Sequence, residues 1–152
     1  LSEVAISQDF VGAFGVLERD GRILLAGNRR SMQPGRKPEL VFDLPGGRVE
    51  AGEMLPEALE REWREECAIE IEIERFLLVQ EGLRYIDGER RYAWRSFFFA
   101  VRSDGIPQPA AEVESLLWAP RSKLPNILRA PYHQGFVRWL RDGEPFQSDA
   151  WR

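Results

Sequence analysis

The chain has 152 residues and a formal charge of -4, and 43% of it is hydrophobic, including five Trp and nine Phe. That length suits a single domain over residues 1–152, and the apolar content is enough for a core of its own. Nearly balanced acids and bases argue against stable nucleic-acid binding by general electrostatics, and no apolar run approaches the ~20 residues that span a bilayer. The N-terminus Leu1-Ser2-Glu3-Val4 lacks the basic and apolar regions of a signal peptide. Cys67, the single cysteine, can form no intramolecular disulfide, so the expected compartment is the reducing cytoplasm.

In chain order, Val11 to Leu17 and Arg22 to Ala26 are apolar runs joined through Asp20-Gly21, the signature of a β-hairpin. Arg29 to Pro38 mixes Arg29, Arg30, Arg36 and Lys37 with Ser, Gly and two prolines and reads as a basic loop. Leu40 to Leu44 is expected to be a short strand, ended by Pro45-Gly46-Gly47. Pro56 suits the first turn of a helix running to about Cys67. On that helix Leu55, Leu59, Trp63 and Cys67 recur every four residues on one side, while Glu62, Glu65 and Glu66 share another.

Ile69 to Ile73 alternates apolar residues with Glu70 and Glu72, as a half-solvated strand does, and Phe76 to Val79 extends it. Tyr92 to Val101, with Trp94 and three consecutive Phe, reads as an inner strand. Arg102 to Ala111 is a loop, Leu116 to Ala119 another strand, and Tyr132 to Leu140 has helical spacing that Asp142-Gly143 would end. Strands separated by a mid-chain helix and followed by a late one predict a mixed α/β sandwich.

Seven Glu fall between Gly47 and Ile69. At an effective dielectric of ~20, two carboxylates ~5 Å apart repel by about 3 kcal/mol, so three on a sheltered helical face need compensation. A solvated surface with i, i+4 ion pairs is the ordinary reading of such a run. The glycine pair just before it favours a different one, because glycine lets a backbone carbonyl approach an ion. Oxygen-only donors suit Mg²⁺, with Mn²⁺ as the alternative, and no His or Cys cluster offers a zinc site.

These residues resemble the signature of the Nudix family, G-x(5)-E-x(7)-R-E-U-x-E-E-x-G-U with U a bulky apolar residue. Gly47, Glu53, Arg61, Glu62, Glu65, Glu66 and Ile69 stand in register. Ala68 replaces the second glycine, and Trp63 fills a position more often aliphatic. The resemblance implies an α/β/α sandwich with a mixed central sheet, and hydrolysis of the pyrophosphate bond of a nucleoside diphosphate linked to another group, such as a nucleoside triphosphate or ADP-ribose. It implies that Gly46 (through its carbonyl), Glu62, Glu65 and Glu66 hold Mg²⁺, with Arg61 and Glu53 in support. Water activated by the metal attacks phosphorus. Glu62 is one general base for it; Glu112 or Glu114 in the late loop is the other. A non-catalytic Nudix-like nucleotide-binding module is the alternative reading.

Arg29 and Arg30 are substrate-binding candidates, as phosphate contacts, with Arg36 and Lys37 beside them. Tyr85, Tyr92 and Trp94 are candidates for base stacking, with core packing preferred for Trp94. His133 reads as a surface residue rather than a catalyst, and nothing near Cys67 suggests nucleophilic work. The expected partner is a small nucleotide, without a membrane, and a homodimer is compatible with the sequence.

Overall fold

The computed structural model describes residues 8–152, so the N-terminal stretch Leu1-Ser2-Glu3-Val4 lies outside the described residues. Strand β1 (Phe10–Arg19) is the reference for everything else. Asp20 and Gly21, with φ of 51° and 75°, turn it back into β2 (Arg22–Arg30), as the Asp-Gly signal predicts. Strand β2 also pairs antiparallel with β3 (Glu39–Asp43) and with β7 (Ser115–Pro120). On its other side β1 runs parallel to β6 (Glu89–Arg102), which forms a long antiparallel hairpin with β5 (Glu72–Ile86); β8 (Phe146–Trp151) lies parallel to β5 at the edge. The sheet order is β3-β2-β1-β6-β5-β8, with β4 (Gly46–Arg48) paired to β1.

Alternation along β1 divides the core. Ala13 and Leu17, with Leu24 of β2, meet Leu59, Trp63 and Cys67 of helix α1 (Leu55–Cys67). Phe14 and Val16 face the other way, onto Leu124 of the short α2 (Leu124–Ile127) and Phe136 of α3 (Gln134–Asp142). The result is an α/β/α sandwich around a mixed sheet, the predicted class. Trp63 is fully buried, and position 15 explains how it fits: a Cβ on Gly15 would lie 2.6 Å from the indole Nε1. The core-filling role expected of Trp63 is what the fold shows.

Several expectations are corrected. Arg29 and Arg30 belong to β2, because its backbone pairs with Leu40 and Glu39, and only the residues after Arg30 form the basic loop. Gly46 and Gly47 do not simply interrupt structure; they form β4 against Ala13 and Phe14. Ile69 and Ile71 are buried but precede the strand, which begins at Glu72. Among the described residues no helix is long and apolar enough to cross a membrane.

Ala68 closes α1 in the left-handed conformation, φ 57° and ψ 33°, its N–H donating to the carbonyl of Arg64. The backbone adopts the glycine geometry with a Cβ present, which costs about 1–2 kcal/mol. Since Ala68 is exposed, its methyl contributes little packing. Ala68→Gly is therefore expected to raise unfolding free energy in urea by about 1 kcal/mol. A loss of stability would show the exit to be unstrained.

Candidate active site

Helix α1 begins where Pro56 supplies a fixed φ and Glu57 Oε1 accepts from the backbone N–H of Met54 at 3.0 Å. From there the 3.6-residue period turns Leu59, Trp63 and Cys67 into the core and Glu62, Glu65 and Glu66 away from it. Arg61 is the hub of the polar side. Its Nε and Nη2 donate to the two oxygens of Glu53 at 2.7 and 3.0 Å, a bidentate pair. Its Nη1 donates to Glu62 at 3.0 Å and Glu65 at 3.3 Å, and Nη2 also reaches the carbonyl of Arg48 at 3.1 Å. These hydrogen bonds, led by the one from Arg61, hold the Glu53 carboxyl down to about 2. Glu53 Oε1 also accepts from the Glu50 N–H at 2.8 Å, which ties the loop to the helix.

Glu66 is compensated differently. Gly46 N–H donates to its Oε1 at 2.8 Å, and among the described residues no arginine forms an ion pair with it. Burial, only partly offset by that hydrogen bond, pushes its pKa up to about 8, with Glu62, Asp43 and Glu65 adding repulsion. Burial also raises Glu62, against the pull of Arg61. The two glycines make this approach feasible. Gly46 has φ of 149°, and a Cβ on it would lie 2.1 Å from the carbonyl of Ala13; one on Gly47 would lie 2.8 Å from Glu62 Oε1.

Gly46, Gly47, Glu62 and Glu66 open onto a cavity of about 240 Å³ whose far walls include Asn28, Arg30, Asp43 and Tyr132. Arg30 Nη1 pairs with Asp43 Oδ2 at 2.5 Å, and the buried Arg30 Nη2 and Asp43 Oδ1 have no protein partner. Glu112 also lines this cavity. Glu114 does not; it pairs with Arg29 at 3.0 Å, both side chains half-exposed. Arg36 and Lys37 lie on the exposed loop. Tyr92 and Trp94 pack with Phe10 in a separate cluster, and Tyr85 sits under Arg152. Buried Cys67 has its thiol pushed up to about 12 by desolvation, leaving it inert at neutral pH.

A model of the NUDIX domain matches residues 7–140. The chain belongs to the Nudix family. A MutT NUDIX hydrolase from Burkholderia pseudomallei is 30% identical, with 84% of this chain and 95% of that one covered and a TM-score of 0.62. The ORF135 protein of E. coli is 26% identical over 88% of this chain and 86% of its own, at a TM-score of 0.60. The human protein named 8-oxo-dGDP phosphatase NUDT18 is 40% identical over 92 residues, 57% of this chain but 26% of the human protein. The chain thus aligns with about a quarter of that relative's length.

The Nudix residues present fit a divalent cation in donor chemistry: all are oxygens, one carboxyl is buried without a cationic partner, and the glycine cradle excludes side chains from the approach. They are not assembled as a cage, for among the described residues no three His, Cys, Asp or Glu side chains converge closely enough to hold an ion. Arg61 and the Gly46 N–H occupy the carboxylates instead.

Asp43, Phe14 and Tyr132, which the sequence did not single out, line the same cavity. His133, expected on the surface, is 0% exposed, its pKa carried down to about 4 by burial. The signal that could have found Asp43 is its position just before the Leu44-Pro45-Gly46-Gly47 stretch; Tyr132 and His133 carry none.

The pH dependence follows from Glu66. Its folded pKa lies above the ordinary carboxyl value, so between about 4.5 and about 8 the folded state binds more protons than the unfolded one. Its contribution therefore becomes increasingly destabilising as pH rises across that window. In EDTA, the melting temperature of Glu66→Gln relative to the parent is expected to increase from pH 5 to pH 8. A difference that stays constant across the range would contradict the assignment.

Proposed function

We propose that the chain is a Mg²⁺-dependent pyrophosphohydrolase acting on the diphosphate of a nucleotide. The observation that carries this reading is that two of the Nudix acids, Glu62 and Glu66, lie at the Gly46–Gly47 cradle and line a cavity with polar walls. Glu62, Glu65 and Glu66, with the carbonyl of Gly46, would hold the cation. When bound, it supplies neutralisation of the diphosphate charge and acidifies a water.

The chain's own residues do the rest. Arg61 orients Glu62 and Glu65 through Nη1, and Glu53 fixes Arg61 in turn through a bidentate pair that lysine cannot reproduce. Glu112 takes the proton of the attacking water: it lines the cavity, whereas Glu62 is engaged by Arg61 and Glu114 is drawn to Arg29. Ligand pockets commonly span ~300–1,000 Å³, so a cavity of about 240 Å³ favours a mononucleotide over ADP-ribose. Arg30, Asn28 and Asp43 give the cavity wall both donor and acceptor chemistry, the combination a guanine edge requires. The name of the human relative, an 8-oxo-dGDP phosphatase, agrees with that choice and makes 8-oxo-dGDP the first compound to try.

The test is the rate at which the nucleoside monophosphate forms, with Mg²⁺, from 8-oxo-dGDP, dGDP, dGTP and ADP-ribose. The guanine nucleotides are expected to turn over fastest, and Glu65→Gln or Glu66→Gln to reduce the best rate by on the order of a hundredfold. Tight nucleotide binding with no metal-dependent product would support the non-catalytic module instead. Glu112→Gln should lower kcat by roughly 10²-fold or more at unchanged KM, while Glu114→Gln stays near the parent. Equal effects from the two variants would remove Glu112 from the mechanism.

A further inference from the structure

His133 is the chain's single histidine, fully buried, and it lines neither the cavity nor the carboxylate cluster. Its Nε2 accepts a hydrogen bond from the backbone N–H of Leu44 at 2.9 Å, which places the ring proton on Nδ1. Phe14, Phe98 and Tyr132 meet the imidazole edge-on, with centroids 4.7, 5.8 and 5.2 Å away, and restrict its orientation. The turn that carries it, Pro131–His133, is fixed from behind by Gln80 of β5. That buried amide donates to the carbonyl of Pro131 at 2.9 Å and accepts from Gly135 N–H at 2.7 Å.

Leu44 stands between the end of β3 and Pro45-Gly46-Gly47. Proline has no N–H, so the Leu44 amide is the last backbone donor before Gly46, whose own N–H goes to Glu66. We infer that His133 is a positioning residue for the Leu44–Gly46 segment. Through Leu44 it sets where the backbone of Gly46 faces Glu62 and Glu66, although it touches neither substrate nor metal ligand. The inference rests on the pyrophosphohydrolase reading.

The test compares His133→Phe, which keeps an aromatic ring but leaves the Leu44 N–H unpaired, with His133→Gln, which returns an acceptor. Mn²⁺ affinity is measured calorimetrically without substrate, and kcat and KM on the best nucleotide with saturating Mg²⁺, below the melting temperature of each variant. His133→Phe is expected to weaken Mn²⁺ binding or lower kcat by roughly 10–100-fold with KM little changed, as loss of the support behind a metal ligand does. His133→Gln should recover most of that loss, which a purely structural role would not require. A folded His133→Phe that binds Mn²⁺ and turns over like the parent overturns the positioning role alone. Should His133→Phe not fold, His133→Asn, whose shorter acceptor falls short of Leu44, takes its place, and parental behaviour there overturns the inference equally. A parent that neither binds Mn²⁺ nor turns over overturns the functional reading, and the role of His133 with it.

Discussion

The constraint on which the rest of the structure depends is the packing of like charges. Glu62, Glu65 and Glu66 lie in the C-terminal half of α1 and Glu53 in its approach loop, and at an effective dielectric of ~20 each close pair would cost about 3 kcal/mol if nothing intervened. Arg61 answers three of them with one guanidinium, while Glu66, the most buried, has the N–H of Gly46. Both answers require backbone and helix to come unusually close. That explains why the bend is built of glycine, where a Cβ at position 46 would strike β1 and one at position 47 would strike Glu62.

The opposite side of α1 holds that distance. Trp63 packs against β1 because Gly15 leaves room for the indole, and Leu59 and Cys67 complete a fully buried seam. The large side chain that departs from the usual family residue is thus matched by a small one on the facing strand. A helix seated this way cannot slide without opening a cavity in the core, where loss of a large side chain costs about 3–5 kcal/mol. Apolar packing therefore sets the height of the carboxylates, and the polar network tunes their charge. From the other face of β1, Phe14 packs on His133, so the same strand refers both layers to the glycine bend.

What was legible in the sequence was local. The i, i+3, i+4 spacing of Glu62, Glu65 and Glu66, the start of α1 at Pro56 and the Asp20-Gly21 turn depend on neighbours within a few residues, and they stand where expected. The turn at Asp87-Gly88 carries the same signal, with φ of 53° and 78°, yet the strands flanking it do not announce the β5–β6 hairpin. Register shifts between Ile73 and Arg75 and between Phe76 and Leu78 break the period-two pattern from which a continuous strand is recognised. Strand β8 is a mostly polar edge, Phe146-Gln147-Ser148-Asp149, with no apolar alternation to announce it. The burial of His133 is hidden from the sequence for a deeper reason: its partner is an amide 89 residues away in the chain. The cavity walls share that character, since Arg30 and Asp43 face one another only once β2 and β3 pair.

The bonds of Arg61 are not equivalent, and the difference bears on how such a site can serve both free and loaded states. Glu53 accepts two parallel bonds at 2.7 and 3.0 Å and takes a further one from the backbone of Glu50. Glu62 and Glu65 each accept one from the same Nη1, at 3.0 and 3.3 Å, and Glu65 is half-exposed. A bidentate charge-assisted pair is the stronger and the more tightly oriented of the two arrangements. Positive charge arriving at the glycine cradle would therefore draw Glu62 and Glu65 from a shared, single-bonded donor while leaving Arg61 anchored on Glu53. Glu66 needs no arginine to give it up, only deprotonation, which its elevated pKa makes costly until a cation compensates. Arg61 thus offsets part of the acidic charge at the cradle, and its loosely shared bonds to Glu62 and Glu65 could be given up while it stays anchored on Glu53.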